Sequence, residues 1–272
     1  MQWSRELGAG YSSVAVAGDR IVTLFTSGPD DFLAAFAVAD GEELWRLRLA
    51  DKYVGHEGSD DGPLSSPMIE GGVVYALGPK GQLVAAGLED GVELWRTQLD
   101  KSNSMVPYYG YTSSPLPVDG LVVVLTGGEG RAVSAFEQKT GALKWSVGDD
   151  SVTYQTAIVA ELGGRRQLVA VTDHEAMGLE ITTGRVLWSF GHSVGSARQE
   201  SAHPTLVDSS HLLLNLQSES LLLKVSGAGE VQKAEEVWRS RAFANSLVLP
   251  VAHNQRLFGF TGRILSAIDP SN

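Results

Sequence analysis

The sequence predicts an all-β protein in which one four-stranded unit is repeated along the chain. The six tryptophans stand at nearly even spacing, with successive gaps of 42, 50, 50, 43 and 50 residues: Trp3, Trp45, Trp95, Trp145, Trp188 and Trp238. Short apolar runs recur between them, whereas no segment of comparable length has the 3.6-residue period of a helix. Four short strands in roughly 40–50 residues match one blade of a β-propeller, so we expect six blades.

The first two strands of each unit are predicted from small residues, a tight turn and an apolar run. Small or hydroxyl residues open five of the units, at positions 11–13, 64–67, 112–115, 154–156 and 201–204. A turn such as Gly71-Gly72 or Asp119-Gly120 follows, made of residue types that accept positive φ in hairpins. The apolar runs after the turns are too short for helices and are typical of strands buried on both faces: 21–25, 73–77, 121–125, 168–171, 212–214 and 257–260.

The third and fourth strands are joined by a second turn, and the fourth strand carries the tryptophan. In four units a turn glycine stands four residues before the tryptophan: Gly41, Gly91, Gly141 and Gly184. Because blades pack face to face, a large flat indole near the rim can fill the wedge between two neighbours. We therefore assign the six tryptophans and these four glycines to blade packing rather than to ligand binding.

The two ends of the chain complement each other. Residues 2–7 match a fourth strand without a blade before it, and the last unit stops after its third strand. We expect the N-terminal strand to close the last blade, which leaves no exposed sheet edge. An incomplete seven- or eight-bladed propeller is the alternative. The expected single domain, residues 1–272, then has blades near 8–50, 64–100, 112–148, 154–191, 201–240 and 243–272 plus 1–7.

Composition and charge exclude several classes of function. The formal charge is −11, from 21 Lys and Arg against 32 Asp and Glu, so the field of the protein repels phosphate backbones and nucleic acid is not an expected partner. The absence of cysteine excludes disulfides, Cys-based zinc sites and thiol nucleophiles. No apolar stretch approaches the roughly 18 residues of a membrane span, and no signal peptide is recognisable. We expect a monomer.

The candidate binding surface lies on the long connections between blades, which in a propeller surround the mouth of the central channel. Three tyrosines on one connection are suited to stacking a sugar, a peptide or a flat ligand, although packing of the loop onto the blades is the favoured alternative. Three histidines and an arginine are predicted to lie near the same mouth, with a structural or solvated role as the alternative. The candidate surface therefore contains His56, Tyr108, Tyr109, Tyr111, His174, Arg198 and His203.

Motifs for catalysis and for metal binding are weak. Residues 56–61 offer oxygen and nitrogen donors for a hard cation but lack the EF-hand spacing, and a solvated acidic loop is the favoured interpretation. The glycines at 127–130 follow a predicted strand but open no helix, which excludes a dinucleotide site. There is no nucleophile elbow and no phosphate-binding loop. We expect no catalytic and no metal-binding residue.

A family resemblance is carried by the pattern A-x-x-x-x-[TD]-G-x-x-x-W, which starts at Ala35, Ala85 and Ala135. It resembles the tryptophan-docking repeat of the pyrroloquinoline quinone (PQQ)-like propeller family. That family includes quinoprotein alcohol dehydrogenases, BamB and bacterial PQQ-binding-like β-propeller repeat proteins, and the sequence is most similar to the last group. The likeness covers essentially the whole chain. It implies a β-propeller and a periplasmic or exported location.

The sequence departs from this family where a cofactor would bind. The aspartate of the docking motif is replaced by Ala37, Gly87, Glu137 and Glu180, and is matched only at Asp269. The adjacent-cysteine disulfide that closes the quinone site of the family has no counterpart, and no Glu/Asn/Asp set matches the calcium and quinone ligands. We therefore expect no cofactor, PQQ and calcium being implied by the resemblance alone.

Two classes of function follow from these features. The first hypothesis is a non-catalytic binding or scaffold propeller that holds a protein partner or a small ligand on its loop-lined channel face. The alternative is an enzyme that uses the central channel, either a diverged quinoprotein-like oxidoreductase or another activity. A sensor domain of a larger protein is a third hypothesis.

Overall fold

Strands, turns and loops make up all of the chain that the structure describes. The computed structural model describes residues 3–56, 59–99, 107–151, 153–192, 203–216, 218–227, 229, 231–244 and 248–271. No helix occurs in these segments, and so none that is long and apolar enough to cross a membrane. The strands form six sheets in which neighbours along the chain are also neighbours in the sheet.

The first compact unit comprises Met1–Val124 and Ser134–Trp145. Its first sheet contains β1 (Ala15–Ala17), β2 (Arg20–Ser27), β3 (Asp30–Ala37) and β4 (Glu43–Asp51). The second sheet contains β5 (Met68–Glu70), β6 (Val73–Leu77), β7 (Gln82–Gly87) and β8 (Glu93–Gln98). The third sheet contains β9 (Leu116–Val118), β10 (Leu121–Leu125), β11 (Val133–Glu137) and β12 (Leu143–Val147), and the boundary of the unit passes through it.

The second compact unit comprises Leu125–Val133 and Ser146–Asn272. The fourth sheet contains β13 (Ile158–Leu162), β14 (Arg165–Val171), β15 (Glu175–Leu179) and β16 (Val186–Gly191). The fifth contains β17 (Thr205–Leu206), β18 (His211–Leu216), β19 (Glu219–Ser226) and β20 (Lys233–Ser240). The sixth has three strands in the described residues: β21 (Val251–His253), β22 (Arg256–Thr261) and β23 (Ile264–Ile268).

The predicted apolar runs lie in the second strand of each sheet, and the predicted turns join the first and second strands. Gly71 and Gly72, between β5 and β6, have φ of 57° and 78°. Both values are positive, as a two-residue hairpin turn with the right-handed twist of the strands requires. Asp119 and Gly120 form the same turn between β9 and β10, with φ of 50° and 80°. These turns are confirmed.

The fifth sheet buries both of its faces against neighbouring sheets, as its second strand shows. In β18, Leu212 and Leu214 belong to a core shared with the fourth sheet. Leu213, between them, packs in a second core with Leu257 of the sixth sheet. Successive side chains of a strand point to opposite faces, so a continuous apolar run supplies two cores at once.

The N-terminal segment differs from its prediction. Residues 3–8 form no strand, and the sixth sheet has no fourth strand among the described residues. The contacts of the segment are made with the first sheet instead. Trp3 Nε1 donates to the carbonyl of Val38 at 2.8 Å, and Arg5 donates to the carbonyl of Gly41 at 2.9 Å and pairs with Glu43. These side-chain contacts hold the segment without any ladder of backbone hydrogen bonds.

Candidate functional site

Three tryptophans of unit 1, Trp3, Trp45 and Trp95, dock onto the turn of the next blade along the chain. Trp45 Nε1 donates to the carbonyl of Leu88 at 2.8 Å, and Trp95 Nε1 donates to the carbonyl of Gln138 at 2.7 Å. Trp3 makes the equivalent bond to Val38 of the first sheet. Each acceptor stands three residues after the alanine of the repeat pattern. In each of these repeats, the backbone carbonyl at the same position therefore accepts the hydrogen bond of the indole N–H.

The turn glycine makes this docking sterically possible. Gly91 and Gly141 have φ of 68°, a conformation that L side chains rarely adopt. A Cβ added to Gly91 would lie 2.5 Å from Cδ2 of Trp45, and one added to Gly141 would lie 2.5 Å from Cε3 of Trp95. A Cβ at Gly41 would meet Trp3 at 2.6 Å in the same way. The indole and the glycine backbone are in direct contact in all three cases.

The tryptophans of unit 2 differ from one another. Trp238 follows the repeat, because its Nε1 donates to the carbonyl of Pro270 at 2.8 Å. Trp188 instead donates to the side-chain oxygen of Gln167 in its own sheet, at 2.6 Å. Gly178, which pairs with Trp188 in the sheet, stands at the alanine position of the repeat and leaves the space that the indole occupies. Of the remaining predicted packing residues, Trp145 is 9% exposed and Gly184 has a φ of 71°.

Gln232 links the turn of the fifth repeat to the fourth sheet. Its backbone N–H donates to the carbonyl of Leu187, and its side chain donates to the carbonyls of Leu162, Gly163 and Gly227. Its Oε1 accepts from Nε2 of Gln167 at 2.9 Å. The irregular turn of the fifth repeat thus brings a glutamine into the interface, and Trp188 turns to the second glutamine of this pair.

An exposed cluster of aromatic side chains lies on the loops of unit 1. The rings of His56 and Tyr108 are stacked with centroids 4.4 Å apart, and Tyr109 packs edge-on against Tyr108 at 4.9 Å. His56 is exposed, Tyr108 is 46% exposed, and Val54 beside them is 64% exposed. We call Val54, His56, Tyr108 and Tyr109 the aromatic loop surface.

Buried polar groups hold this surface in place. Tyr53 is buried, and its hydroxyl donates to the backbone carbonyl of Tyr108 at 2.8 Å. The backbone N–H of Tyr53 in turn donates to Asp31 Oδ2 at 2.9 Å. Asp31 is fully buried and also accepts a bond from the hydroxyl of Thr26. Burial raises the pKa of Asp31 above 3.8, against the bonds from Thr26 and Tyr53, which lower it.

Of the residues predicted for the binding surface, one is buried and another lies outside the described residues. Tyr111 is 1% exposed, because its ring packs on Gly81 and its backbone N–H donates to the carbonyl of Pro79. It therefore anchors the loop, which was the alternative interpretation of the tyrosines. Arg198 lies outside the described residues, as do Glu57 and Gly58 of the 56–61 stretch.

His203 has a structural contact in unit 2. Its Nδ1 accepts a hydrogen bond from the backbone N–H of Thr156 at 2.9 Å. Ser66 and Ser114 stand at the same position of the repeat, just before a proline, and their hydroxyls accept from the backbone N–H groups of Ser13 and Ser66. Burial lowers the pKa of His203 below 6.5, so the ring is neutral at neutral pH.

His174 forms a pair with Asp150 that the sequence analysis missed. Nδ1 of His174 lies 2.9 Å from Asp150 Oδ1, while Oδ2 accepts bonds from the hydroxyl of Thr172 and the backbone N–H of His174. The backbone N–H of Ser151 donates to Oδ1. Burial alone would raise the pKa of Asp150, but these hydrogen bonds lower it below 3.8. The bond to Asp150 raises the pKa of His174 above 6.5.

A sequence signal for this pair existed. Asp150 follows the fourth strand of the third sheet, and His174 lies in the turn between the second and third strands of the fourth sheet. In antiparallel meanders these two kinds of connection emerge at the same end of the strands, so polar residues on them can meet. His192 directly follows β16 and therefore lies at the same end of the fourth sheet as His174, but it was not predicted as a site residue.

A cluster of serine, histidine and aspartate in the fifth sheet is not a catalytic triad. His211 Nδ1 lies 2.9 Å from Asp208 Oδ2 and 3.1 Å from the hydroxyl of Ser210. A triad needs the aspartate and the serine on opposite ring nitrogens, so that one nitrogen can carry the proton between them. Asp208 also accepts from the backbone N–H groups of Ser210 and His211, which identifies it as the cap of a turn.

Comparisons with known proteins agree with the propeller fold. BamB from Moraxella catarrhalis has a TM-score of 0.65 and 15% identity, over 98% of this chain and 71% of that protein. The quinohemoprotein alcohol dehydrogenase ADHIIG from Pseudomonas putida HK5 has a TM-score of 0.57 and 16% identity, over 87% of this chain and 43% of that protein. A europium-containing methanol dehydrogenase has a TM-score of 0.59 and 13% identity, over 94% of this chain and 66% of that protein.

The fold class predicted from the sequence, an all-β propeller with six blades, is confirmed by these similarities and by the six sheets. At such low identity they establish the fold alone. No curated protein has a significantly similar sequence. A family model described as outer membrane protein assembly factor BamB matches residues 29–272. This family supports a binding or scaffold propeller at most and does not favour the oxidoreductase. The chain therefore belongs to the BamB family of PQQ-like β-propellers.

Proposed function

We propose that this chain is a non-catalytic scaffold propeller that binds a protein partner through the aromatic loop surface of unit 1. The observation that carries the proposal is the stacked pair of His56 and Tyr108, both exposed and presented by a loop that buried Tyr53 holds by a hydrogen bond. Stacked rings of this kind expose a large flat area that a partner can cover.

The chemistry of this surface fits a protein rather than a small ligand. Aromatic side chains are enriched among the residues that dominate the energy of protein interfaces. Their few rotatable bonds are already restrained here by stacking, so little conformational entropy is lost on binding. The chain carries a formal net charge of −11, and Asp60 is exposed on the same connection as His56. The partner segment should therefore combine apolar side chains with a net positive charge.

The family supports the same function. Its model is described as an assembly factor of outer membrane proteins, a description that implies contact with other proteins. A periplasmic or exported location is part of the proposal.

Two features support a function without quinone-dependent or hydrolytic catalysis. The described residues contain one group of three potential metal ligands, Asp150, Asp173 and His174, and this group includes an imidazole. Calcium prefers ligands that are all oxygen, so the set does not fit the calcium of a quinone site. The contacts of Ser210 with His211 also lack the geometry of a hydrolase.

The proposal is tested by photo-crosslinking in the native cell, followed by binding of the purified partner. A photoreactive amino acid replaces Tyr108 in one variant and Leu143, which is 59% exposed on β12, in the control variant. We expect position 108 to capture a protein that position 143 does not. The captured protein is then purified, and its Kd is measured with the wild type, Tyr108→Ala and Leu143→Ala.

The expected result is that Tyr108→Ala weakens binding at least about tenfold, which is a loss of about 1.4 kcal/mol. Leu143→Ala should bind like the wild type. Equal affinity of Tyr108→Ala and the wild type would refute the assigned surface. Equal capture from both positions would do the same.

A further inference from the structure

Three side chains of the types that bind metal ions converge in unit 2. Asp150 lies after β12, and Asp173 and His174 lie in the turn between β14 and β15; one ligand atom from each is within 4.8 Å of the others. His174 Nδ1 is 2.9 Å from Asp150 Oδ1 and 3.7 Å from Asp173 Oδ2. With metal–ligand bonds of about 2.0–2.2 Å, neighbouring ligand atoms of one ion lie about 3–3.5 Å apart. The three groups are thus nearly at coordination distance from one another.

The central carboxylate of the group is already fixed. The side chain of Asp150 is only 12% exposed, and Thr172, Ser151 and the backbone N–H of His174 all donate to it. Carboxylates that bind metals are commonly held by such bonds, which orient them and reduce the entropy lost on binding. The backbone of Asp150 is held as well, because its carbonyl accepts from the N–H of Gly128 at 2.8 Å.

A second observation, independent of the acidic groups, is the buried imidazole of His192. This residue is 3% exposed, and neither ring nitrogen makes a hydrogen bond of good geometry within the described part of the chain, although the backbone of Glu175 lies near the ring. A buried polar group without a partner is costly unless a ligand or water satisfies it.

The backbone places His192 beside the same group. Its N–H donates to the carbonyl of His174 at 2.7 Å, which extends the pairing of Glu175 with Gly191 by one residue. Residues directly opposite on antiparallel strands carry their side chains on one face, with Cβ atoms about 4.5–5.5 Å apart. Asp150, His174 and Arg239 are close enough to act on the charge of this imidazole, and the backbone of Glu175 is a polar neighbour of it.

The ligand types select the ion. Calcium and magnesium prefer oxygen ligands only, whereas an imidazole with carboxylates is a typical set for zinc. We propose that Asp150, Asp173 and His174 bind Zn²⁺, with the buried imidazole of His192 facing the ion or a water molecule bound to it. The ion takes the place of the proton between His174 and Asp150. The His174 side chain is 69% exposed, so water can fill the remaining coordination positions.

The test is a titration of the whole chain, stripped with a chelator, with Zn²⁺ in competition with a chromophoric chelator. We expect one ion per chain, and a loss of affinity of at least about tenfold in both Asp150→Asn and His174→Ala. His192→Phe should weaken binding about tenfold, and an unchanged affinity would refute the role given to His192. Binding of Co²⁺ should give a visible absorption band that His174→Ala removes.

The matched control is His211→Ala. His211 is also paired with a carboxylate, Asp208, at 2.9 Å, but it is not part of a three-ligand group in the described residues. This variant should bind Zn²⁺ like the wild type. Absence of stoichiometric uptake by the folded wild type would overturn the proposal, and so would equal losses in His174→Ala and His211→Ala, because these would indicate scattered surface binding. Circular dichroism of each variant distinguishes a lost ligand from a lost fold.

Discussion

His203 accepts a hydrogen bond through Nδ1 from the backbone N–H of Thr156, at 2.9 Å. In unit 1 the hydroxyls of Ser66 and Ser114 accept the same bond from the preceding blade. One position of the repeat thus ties the first strand of a blade to the first strand of the next. The imidazole does in unit 2 what a serine does in unit 1, but it can be protonated, and a protonated Nδ1 cannot accept.

Stability should therefore depend on pH through His203. Its folded pKa lies below 6.5, so below pH 6.5 the unfolded chain binds more protons at this residue than the folded one. The contribution of His203 is complete above pH 6.5 and is lost as the pH falls through the folded pKa. We expect His203→Ser to keep the acceptor and to reduce the loss of stability between pH 7.5 and pH 5. Urea unfolding of both proteins at the two pH values checks this. Parallel loss in the two proteins would contradict it.

The contact of Trp95 with Gly141 predicts a large effect of one methyl group. Gly141→Ala places a Cβ 2.5 Å from the indole at a φ of 68°, so it should cost both backbone strain and overpacking. Gly71→Ala is the matched control, because Gly71 has a φ of 57° with nothing within 4 Å of the added Cβ. We expect about 1–2 kcal/mol for the control and about 1–3 kcal/mol more for Gly141→Ala. Denaturant unfolding measures both, and equal losses would show that docking does not constrain this glycine.

The hydrogen bond between Trp188 and Gln167 predicts that substituting Gln167 destabilises the protein, although no repeat pattern marks this glutamine. Gln167→Leu leaves the indole N–H of Trp188 and Oε1 of Gln232 without their partner, and both are buried. Each unsatisfied group costs about 1–3 kcal/mol. Gln138→Leu is the control, because Trp95 bonds to the backbone carbonyl of Gln138, which this substitution keeps. Thermal unfolding should separate the variants clearly. A Gln167→Leu protein as stable as the Gln138→Leu protein would argue against the pair.

We expect the hydroxyl of Tyr53 to restrict the motion of the aromatic loop surface. Tyr53→Phe removes the bond to the carbonyl of Tyr108, at a cost of about 0.5–1.5 kcal/mol. We expect faster amide exchange at residues 107–111. Tyr11→Phe, which loses a hydroxyl contact with Asp60 instead, should leave exchange at 107–111 unchanged. Equal exchange in both variants would show that the loop is held by other contacts.

The local sequence pattern was sufficient to predict the blades, because the contacts within a blade join residues that are close in the chain. Each meander pairs strands that follow one another, and its turns need residues such as Gly71 and Gly72 wherever they occur. The docking of Trp45 and Trp95 joins successive blades, and it repeats because the indole, the turn glycine and the acceptor carbonyl recur at the same positions of the pattern. Trp188 departs from it because of two residues outside its own strand, Gly178 and Gln232. The glycine at the alanine position was a visible signal, but its effect depended on how the irregular fifth repeat packs.

The candidate sites were less predictable, because they join loops that are distant in sequence. Tyr108 and Tyr111 stand three residues apart in one loop, yet one is 46% exposed and the other 1%. Composition cannot separate them, since both are tyrosines and only the packing on Gly81 distinguishes them. Asp150 and His174 come from different sheets, and neither has a motif.

The sequence by itself determined the number of blades, the strands within them and the position of the indoles. These features depend on contacts between residues that are close in the chain, or on contacts that recur in every repeat of the pattern. Tertiary structure alone decided that Tyr108 faces solvent, that His203 accepts from Thr156, and that residues 3–8 make side-chain contacts with the first sheet instead of forming a strand. The physical reason is that burial and hydrogen bonding between separate loops depend on where the backbone places them. The periodicity of the local sequence does not encode that placement.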